Sequence, residues 1–205
     1  MAVENGFTNL SQSEINAIIA KWGFGGPSAT VKPTSGTSRN DVLTGTESND
    51  TLYGYAGNDT LDGKGGRDKL NGGSGSDLIT GGAGGDTFEY SALNESRLDY
   101  IDSIRDLLIG TDSIDSLYPV TKGSIVRTVS GSSLKVTALT ESSIQKTLTA
   151  SVFSAKGAAV FTYTSSGKTQ TFLALNDTRA GFQSTSDALI NITGYSGSLA
   201  NLAIV

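Results

Sequence analysis

A large apolar residue recurs every nine positions through the middle of the chain, and Gly and polar residues fill most of the space between. The apolar positions are Leu43, Leu52, Leu61, Leu70, Ile79 and Phe88. Two positions before each stands an aspartate: Asp41, Asp50, Asp59, Asp68, Asp77 and Asp86. A period of nine is too long for one helical turn or one strand pleat, so each block must be a structural unit that stacks on its neighbours.

The six blocks cover residues 36–89 and follow the pattern G-G-x-G-x-D-x-apolar-x, which sharpens towards the C-terminal end. If each block is one turn and one short strand, two blocks form one coil. Blocks n and n+2 then lie above one another at the strand-pairing distance of about 4.8 Å. This arrangement predicts a parallel stack whose two inward faces are formed by Leu43, Leu61 and Ile79 and by Leu52, Leu70 and Phe88.

The stretch before the repeats predicts one short helix. Residues 11–22 carry an apolar stripe at helical spacing behind a capping box. We expect this helix to cap the first coil, because the ends of a stacked array need covering, although a docking helix for another protein is the alternative. Residues 1–35 are therefore expected to form an N-terminal helix and a linker.

The stretch after the repeats predicts a β-rich C-terminal region over residues 90–205. A Ser–Ser–Gly sequence at 165–167 is typical of a hairpin between two strands. Thr140 has the character of a helix N-cap, and the apolar spacing behind it predicts a short helix through Val152. The strand candidates are 124–129, 158–164, 169–175 and 188–193.

Composition narrows the chemistry that the repeats can carry. The chain has no Cys and no His, so only oxygen ligands are available in quantity, and these suit hard cations such as calcium. A net charge of −5 argues against a nucleic-acid partner. No apolar run reaches the roughly 18 residues that a membrane span needs. The N-terminus lacks the pattern of a cleaved signal peptide.

The stacked aspartates explain why a cation is needed. Two like charges about 4.8 Å apart repel by about 1 kcal/mol in water and by several times more at a partly buried edge. A divalent ion between successive carboxylates converts this repulsion into attraction, and Gly lets the turn carbonyls face the ion. The alternative is that Gly and Asp are ordinary turn residues, which suits a single block better than six blocks in unbroken register.

These repeats resemble the RTX (repeats-in-toxin) family of hemolysin-type calcium-binding nonapeptides. The resemblance implies a mainly β fold, a right-handed parallel β-roll with each ion between two turns that are two blocks apart. The earlier turn supplies its second and fourth carbonyls and its Asp, and the later turn supplies its first and third carbonyls and its Asp. About four to five calcium ions are therefore expected.

Applied to this chain, the resemblance implies four complete sites and part of a fifth. The first would use Thr37, Arg39, Asp41, Gly54, Ala56 and Asp59; the second Thr46, Ser48, Asp50, Gly63, Gly65 and Asp68; the third Tyr55, Gly57, Asp59, Gly72, Ser74 and Asp77; and the fourth Lys64, Gly66, Asp68, Gly81, Ala83 and Asp86. The fifth would use Gly73, Gly75, Asp77 and Asp102. Arg39 and Ser48 replace Gly at the fourth position of the first two blocks, which makes the first site the weakest. The second position of blocks one to four also departs from Gly, with Thr37, Thr46, Tyr55 and Lys64.

The resemblance extends past the repeats. Residues 86–117 are similar to the segment that follows the roll in serralysin-type secreted proteins. Residues 161–178 and 187–195 resemble the β-rich end of such domains, and also the bluetail-type end of cyanobacterial surface proteins. The apolar, uncharged end at 197–205 is consistent with an uncleaved export signal or with a last core strand.

The leading hypothesis is a non-enzymatic calcium-binding module that folds on calcium binding outside the cell. The resemblance implies export through type I secretion machinery and a secreted, extracellular or cell-surface location. One alternative is the non-catalytic C-terminal part of a secreted enzyme, although the zinc-protease motif HExxH is absent from the sequence. The other is an adhesion or glycan-binding module, which an exposed aromatic platform would favour. The sequence names no glycan or protein partner.

Overall fold

Two sheets dominate the computed structural model, which describes residues 34–120, 125–129 and 132–205. The first has six strands in the order β1 (Thr34–Ser35), β3 (Thr51–Tyr53), β6 (Lys69–Asn71), β9 (Thr87–Tyr90), β11 (Ser113–Ser116) and β18 (Ala203–Ile204). The second has eight in the order β14 (Lys135–Val136), β15 (Ala158–Ser165), β16 (Lys168–Leu175), β17 (Ala188–Asn191), β10 (Asp102–Ile104), β7 (Leu78–Thr80), β4 (Thr60–Asp62) and β2 (Val42–Thr44).

Smaller elements complete the described part of the chain. Two short ladders pair β5 (Gly65–Gly66) with β8 (Ala83–Gly84) and β12 (Thr128–Val129) with β13 (Ser132–Ser133). One α-helix, α1, covers Glu141–Thr147, and 3-10 turns cover Leu93–Glu95 and Leu199–Asn201. Among the described residues, no helix has the length and apolar character needed to cross a membrane.

Successive repeats alternate between the two sheets, because a tight turn follows each short strand. In the eight-stranded sheet, Leu61 pairs in parallel register with Leu43 on one side and Ile79 on the other. In the six-stranded sheet, Leu70 pairs in the same way with Leu52 and Phe88. All six side chains are at most 8% exposed, so they form one narrow core between the sheets. The predicted mainly β fold with two inward faces is confirmed.

The stacking continues past residue 89, where the nine-residue period ends. β10 extends the eight-stranded sheet with Ile104 opposite Ile79, and β11 extends the six-stranded sheet with Ile114 opposite Phe88. β17 and β18 then follow in the same two sheets. The sheets extend in this way because Asp–Ser–Ile at 102–104 and 112–114 repeats the spacing of Asp and apolar residue seen in the blocks. The core therefore runs unbroken from the repeats into the C-terminal region.

The predicted hairpin near residue 166 is confirmed. β15 and β16 pair antiparallel around Ser166 and Gly167, whose φ angles of 50° and 76° are those of a tight two-residue turn. The strand predicted at 188–193 ends earlier, at Asn191, because the N–H of Thr193 donates to Asn191 Oδ1 at 2.9 Å and starts a turn. Within the predicted strand at 124–129, the described residues form an isolated bridge from Val126 to Ala159 and the short strand β12.

The helix predicted from Thr140 through Val152 begins as expected and ends early. Thr140 Oγ1 accepts the backbone N–H of Ser143 at 3.4 Å, and α1 follows directly. At Leu148 the backbone leaves the helical region, with φ −99° and ψ 64°. The prediction of helix up to Val152 was wrong, because the Thr and Ser residues of this stretch are weak helix formers.

The structure tests the sequence prediction for the C-terminal end of the chain but not the prediction of a helix near the N-terminus. The C-terminal residues form strand β18, in which Ile204 is buried at 3% exposure and pairs with Ile114. The last-core-strand alternative is therefore confirmed, while the export signal stays a prediction. The helix expected at 11–22 lies outside the described residues.

Replacing Leu70 by Ala should lower the free energy of unfolding by about 2–5 kcal/mol, because Leu70 is fully buried between the sheets and its loss leaves a cavity. Urea unfolding with saturating calcium measures the change. Leu117→Ala is the matched control, since Leu117 is 54% exposed, and it should change the free energy by less than about 0.5 kcal/mol. Equal effects of the two substitutions would contradict the core described here.

Candidate metal centre

Two ladders of hydrogen bonds between aspartates run along the turns, one on each edge of the stack. In every step the backbone N–H of one aspartate donates to Oδ1 of the aspartate in the next coil, at 2.7 to 3.0 Å. One ladder joins Asp41 to Asp59, Asp77 and Asp102, and the other joins Asp50 to Asp68, Asp86 and Asp112. The structure thus brings together the six repeat aspartates and Asp102, and it adds Asp112, which the sequence did not indicate.

The second carboxylate oxygen of the inner aspartates has no hydrogen-bond partner among the described residues. This holds for Oδ2 of Asp59, Asp68, Asp77, Asp86 and Asp102, each in a residue at most 2% exposed. Burying a polar atom without a partner costs free energy, and burying a charged one costs more. Because the same unpaired atom recurs coil after coil, the stack calls for a cation or a proton at each of these positions.

The first glycine of each block lies against Oδ2 of the aspartate in its own block. A Cβ added to Gly54 would touch both Asp59 Oδ2 and the carbonyl oxygen of Gly72, which belong to the same predicted site. A Cβ would therefore fill the space that these oxygens line, and Gly keeps it open. The arrangement recurs at Gly36 with Asp41 and Gly54, at Gly45 with Asp50 and Gly63, and at Gly63 with Asp68 and Gly81.

The turns of blocks three to six share a left-handed backbone. Their second positions have φ angles of 76° (Tyr55), 76° (Lys64), 87° (Gly73) and 98° (Gly82), and their fourth positions 118° (Gly57), 114° (Gly66), 139° (Gly75) and 140° (Gly84). Two of the second carbonyls in these turns face the next coil, where Ser74 N donates to Tyr55 O at 2.8 Å and Ala83 N to Lys64 O at 2.8 Å. Each carbonyl oxygen keeps a second lone pair for a further ligand.

The third positions of the turns also pair between coils. Ala56 bridges to Ser74, and Gly65 pairs with Ala83 in the ladder of β5 and β8. The turns are therefore held in register by their own backbone as well as by the aspartates. All carbonyls that the resemblance assigns to the third and fourth sites lie on these paired turns.

The first two turns are closed in a different way. Thr37 donates to Asp41 Oδ2 through its backbone N–H at 2.7 Å and its hydroxyl at 2.8 Å. Thr46 makes the same pair of bonds to Asp50 Oδ2, at 2.6 and 2.8 Å. Both aspartates are also more exposed than the inner ones. Their second oxygens are therefore satisfied by the protein itself, which the sequence pattern did not reveal.

The fourth positions of these two turns still face the next coil. A Cβ added to Gly57 would lie 2.6 Å from the carbonyl oxygen of Arg39, and one added to Gly66 would lie 2.9 Å from that of Ser48. The first and second predicted sites are thus assembled from one Thr-closed turn and one left-handed turn each. Before their Asp Oδ2 atoms can face an ion, the Thr hydrogen bonds must be given up.

Asp102 lies at the C-terminal end of its ladder and is fully buried. Its backbone N–H donates to Ser96 Oγ at 2.9 Å, and Ser96 Oγ donates to the carbonyl of Leu189 at 2.7 Å. The hydroxyl of Tyr90 is buried beside the Asp102 carboxylate. The predicted fifth site therefore has an unpaired carboxylate oxygen on each side, Asp77 Oδ2 and Asp102 Oδ2.

The last turn is held by carboxylates from the segment after the repeats. Asp106 accepts the backbone N–H groups of Gly81 and Gly82, at 3.0 and 2.8 Å. Asp112 Oδ2 accepts the N–H of Leu108 at 2.7 Å. The sequence signal that would have identified Asp112 is the Asp–Ser–Ile triplet at 112–114, which matches that at 102–104.

A row of asparagines reinforces the turns and was not recognised from the sequence. Oδ1 of Asn40, Asn49 and Asn58 accepts the backbone N–H of the residue eighteen positions later, at 2.8 to 3.0 Å. These residues precede the aspartates of the first three blocks. The amides and the neighbouring carboxylates therefore both hold adjacent coils in register through backbone N–H groups.

Burial changes the protonation of the inner aspartates. Removal from water, with a smaller contribution from neighbouring carboxylates, raises the pKa of Asp68 and of Asp77 to about 6 against the opposing effect of a backbone N–H. The same causes raise the pKa of Asp102 to about 9. Burial likewise raises the pKa values of Asp59 and Asp86. Without a cation, burial in the folded stack thus shifts these carboxylates towards the protonated form.

These residues fit a hard cation. Among the described residues, no three carboxylates converge on one point, so most ligands must be backbone carbonyls. Paired Asp and carbonyl oxygens on left-handed turns supply that set, and such oxygen ligands suit calcium. When bound there, calcium would supply the positive charge that the unpaired Oδ2 atoms lack.

The pH dependence of stability should differ with and without calcium. Because folding raises these pKa values, the native state binds more protons than the unfolded chain, and the free energy of unfolding of the metal-free protein should fall as pH rises from about 4 to about 8. With millimolar calcium the dependence should reverse, since the ion needs the ionised carboxylates. Thermal unfolding followed by circular dichroism tests this, and a metal-free stability that rises over this range would contradict it.

Comparisons with known proteins match the nonapeptide repeats and the segment that follows them. Residues 35–70 match the family model of the RTX calcium-binding nonapeptide repeat, and residues 67–145 match that of the peptidase M10 serralysin C-terminal region. No curated protein matches the chain at a significant level.

Two solved structures share the fold, both subunits of the Azotobacter vinelandii mannuronan C5-epimerase. The AlgE6R3 subunit is 22% identical with a TM-score of 0.50, covering 87% of this chain and 83% of its own. The AlgE6R2 subunit is 25% identical with a TM-score of 0.50, covering 87% of this chain and 96% of its own. Residues 35–145 thus carry RTX calcium-binding nonapeptide repeats that continue into a serralysin-type C-terminal region.

Proposed function

We propose that this protein binds calcium in the turns of its roll and that calcium binding stabilises the folded state. The observation that carries the proposal is the row of buried Asp Oδ2 atoms without partners. The third, fourth and fifth sites have such atoms on both turns, because they pair Asp59 with Asp77, Asp68 with Asp86, and Asp77 with Asp102. The first and second sites should be weaker, because Thr37 and Thr46 already satisfy one of their carboxylates.

Binding of this kind is coupled to folding. Ordering each residue costs about 1–2 kcal/mol, and strands of three residues bury too little surface to offset this by themselves. At a calcium concentration 100-fold above the dissociation constant, each occupied site adds about 2.7 kcal/mol to the stability. Extracellular calcium modules have dissociation constants of about 0.1–1 mM, so cytosolic calcium would leave these sites empty. The roll would therefore stay unfolded inside the cell and fold outside it.

This behaviour suits a secreted or cell-surface protein. Both matching family models describe segments of secreted proteins. Export by type I secretion machinery requires an unfolded chain and a C-terminal signal. Here the C-terminal strand β18 is buried in the core once the roll has formed. The strand would thus be accessible to the export machinery only before calcium-driven folding.

The module itself is proposed to be structural rather than catalytic. The unpaired carboxylates lie in stacked turns that fit ions, and the chain offers no His or Cys as nucleophile or base. A second candidate is the non-catalytic C-terminal part of a secreted enzyme. The similarity to subunits of a mannuronan C5-epimerase favours it, since those modules are parts of an enzyme.

Calcium should drive folding of the isolated chain. We expect the β-sheet signal in circular dichroism to rise with a midpoint of about 0.1–1 mM calcium and to be lost on adding a chelator. Magnesium at the same concentration is the control, and it should produce little signal because it needs a tighter octahedral shell. A chain that is fully folded in chelator at neutral pH would contradict the proposal.

The inner and outer aspartates should differ in their effect on calcium affinity. Asp68→Asn removes a charge shared by two proposed sites and should raise the calcium midpoint of folding by about 10-fold or more. Asp41→Asn is the matched control, because Asp41 serves one site and its Oδ2 is already bonded to Thr37, so the shift should be under about threefold. Isothermal calorimetry and the folding titration measure both, and equal shifts would contradict the assigned register.

A further inference from the structure

Two tyrosines form an exposed aromatic platform at one turn of the roll. The rings of Tyr53 and Tyr55 stack with centroids 6.2 Å apart and planes inclined by 20°. Tyr53 is the last residue of β3, and Tyr55 follows in the turn with 56% of its surface exposed. Tyr53 is half-buried, so the pair presents its aromatic face mainly through Tyr55, at the end of β3 and next to the edge strand β1.

The backbone at Tyr55 gives a reason to look for a role of this ring. Its φ of 76° lies in the left-handed region that side chains with a Cβ rarely adopt, and Gly73 and Gly82 occupy the same position in later blocks. The turn therefore does not require a tyrosine, and a glycine would relieve the strain. Strained backbone kept with a large side chain is typical of functional positions.

The groups beside the platform are polar and nearly balanced in charge. Lys69, in the neighbouring strand β6, lies close to Tyr53 and pairs with Glu89 at 2.9 Å and with Asp115 at 3.9 Å. The side chains of Lys69 and Asp115 are 39% and 42% exposed. Donors and acceptors thus follow the aromatic ring along the outer face of the sheet over roughly 14 Å, which is three strand spacings.

We infer that this surface, formed by Tyr53, Tyr55, Lys69, Glu89 and Asp115, binds an uncharged polysaccharide. A pyranose ring has an apolar face that stacks on an aromatic ring and hydroxyls that bond to neighbouring polar groups. Nucleic-acid bases also stack on aromatic rings, but a net charge of −5 opposes a polyanion. An acidic polysaccharide fits less well than a neutral one, because two carboxylates already compensate the charge of Lys69.

The platform is also connected to the proposed calcium sites. The carbonyl of Tyr55 accepts the N–H of Ser74 at 2.8 Å and is assigned to the third site, while its ring faces outwards. The ring keeps its position only when this turn is formed. The proposed polysaccharide surface is defined by its own side chains rather than by the calcium sites. Its test therefore uses protein that is already folded in saturating calcium.

The test compares two glycine substitutions at equivalent, equally strained positions. Tyr55→Gly removes the ring and relieves the backbone, whereas Lys64→Gly relieves the backbone on the opposite edge, where φ is also 76°, and removes no ring. Binding of cellohexaose, laminarihexaose and hexamannuronate is measured by saturation-transfer NMR and calorimetry in millimolar calcium. Circular dichroism verifies that both variants are folded.

The wild-type protein should bind at least one of the neutral hexasaccharides. Tyr55→Gly should weaken that binding by about tenfold, the effect of losing one aromatic stacking partner, and Lys64→Gly should leave it unchanged. Three results would overturn the inference: no binding of either neutral hexasaccharide, equal binding by the Tyr55→Gly variant, or binding of hexamannuronate alone. Failure of calcium-driven folding would instead appear in the circular dichroism of the wild-type chain, which separates the two proposals.

Discussion

The rest of the structure depends on carboxylate oxygens that the fold holds in stacked rows. Each inner aspartate uses Oδ1 to accept an N–H from the previous coil, and this bond fixes the direction of Oδ2 as well. The apolar residue two positions later holds the strand at its pairing distance, so the carboxylates cannot move apart. In the pair Asp68 and Leu70, burial of the leucine favours the coil while burial of the unpaired carboxylate opposes it. Neutralising the carboxylates resolves this opposition in favour of the folded roll.

Much of this arrangement was predictable because it is local and periodic. The spacing of Asp68 and Leu70, repeated through six blocks, was enough to predict the two inward faces and the two acidic edges. Asp112 was not predictable from the period, because the segment after residue 89 breaks it. Thr37 and Thr46 depart from the glycine of the repeat pattern, and their hydroxyls close the turn on the aspartate, which the pattern does not predict. Such a bond depends on backbone angles that a consensus pattern does not encode.

The C-terminal region is continuous with the repeats in its packing. β17 and β18 extend the two sheets beyond β10 and β11, and Ile190, Leu202 and Ile204 belong to the same core as the repeat leucines. A second core lies on the other side of the β15–β16 hairpin, where Phe161 and Phe172 stack at 5.5 Å. The roll therefore rests on a larger apolar body at its C-terminal end. This body stabilises the last coils independently of the charged turns.

The spacing of the aspartate ladders shows how much sequence variation the turns accept. Successive members are 18 residues apart within the repeats, but 25 and 26 apart at the last steps to Asp102 and Asp112. The same N–H to Oδ1 bond forms in each case, with the additional seven or eight residues outside the coil. Insertions at these corners thus leave the scaffold in register. An architecture of this kind can acquire new surface loops, by evolution or by grafting, without being redesigned.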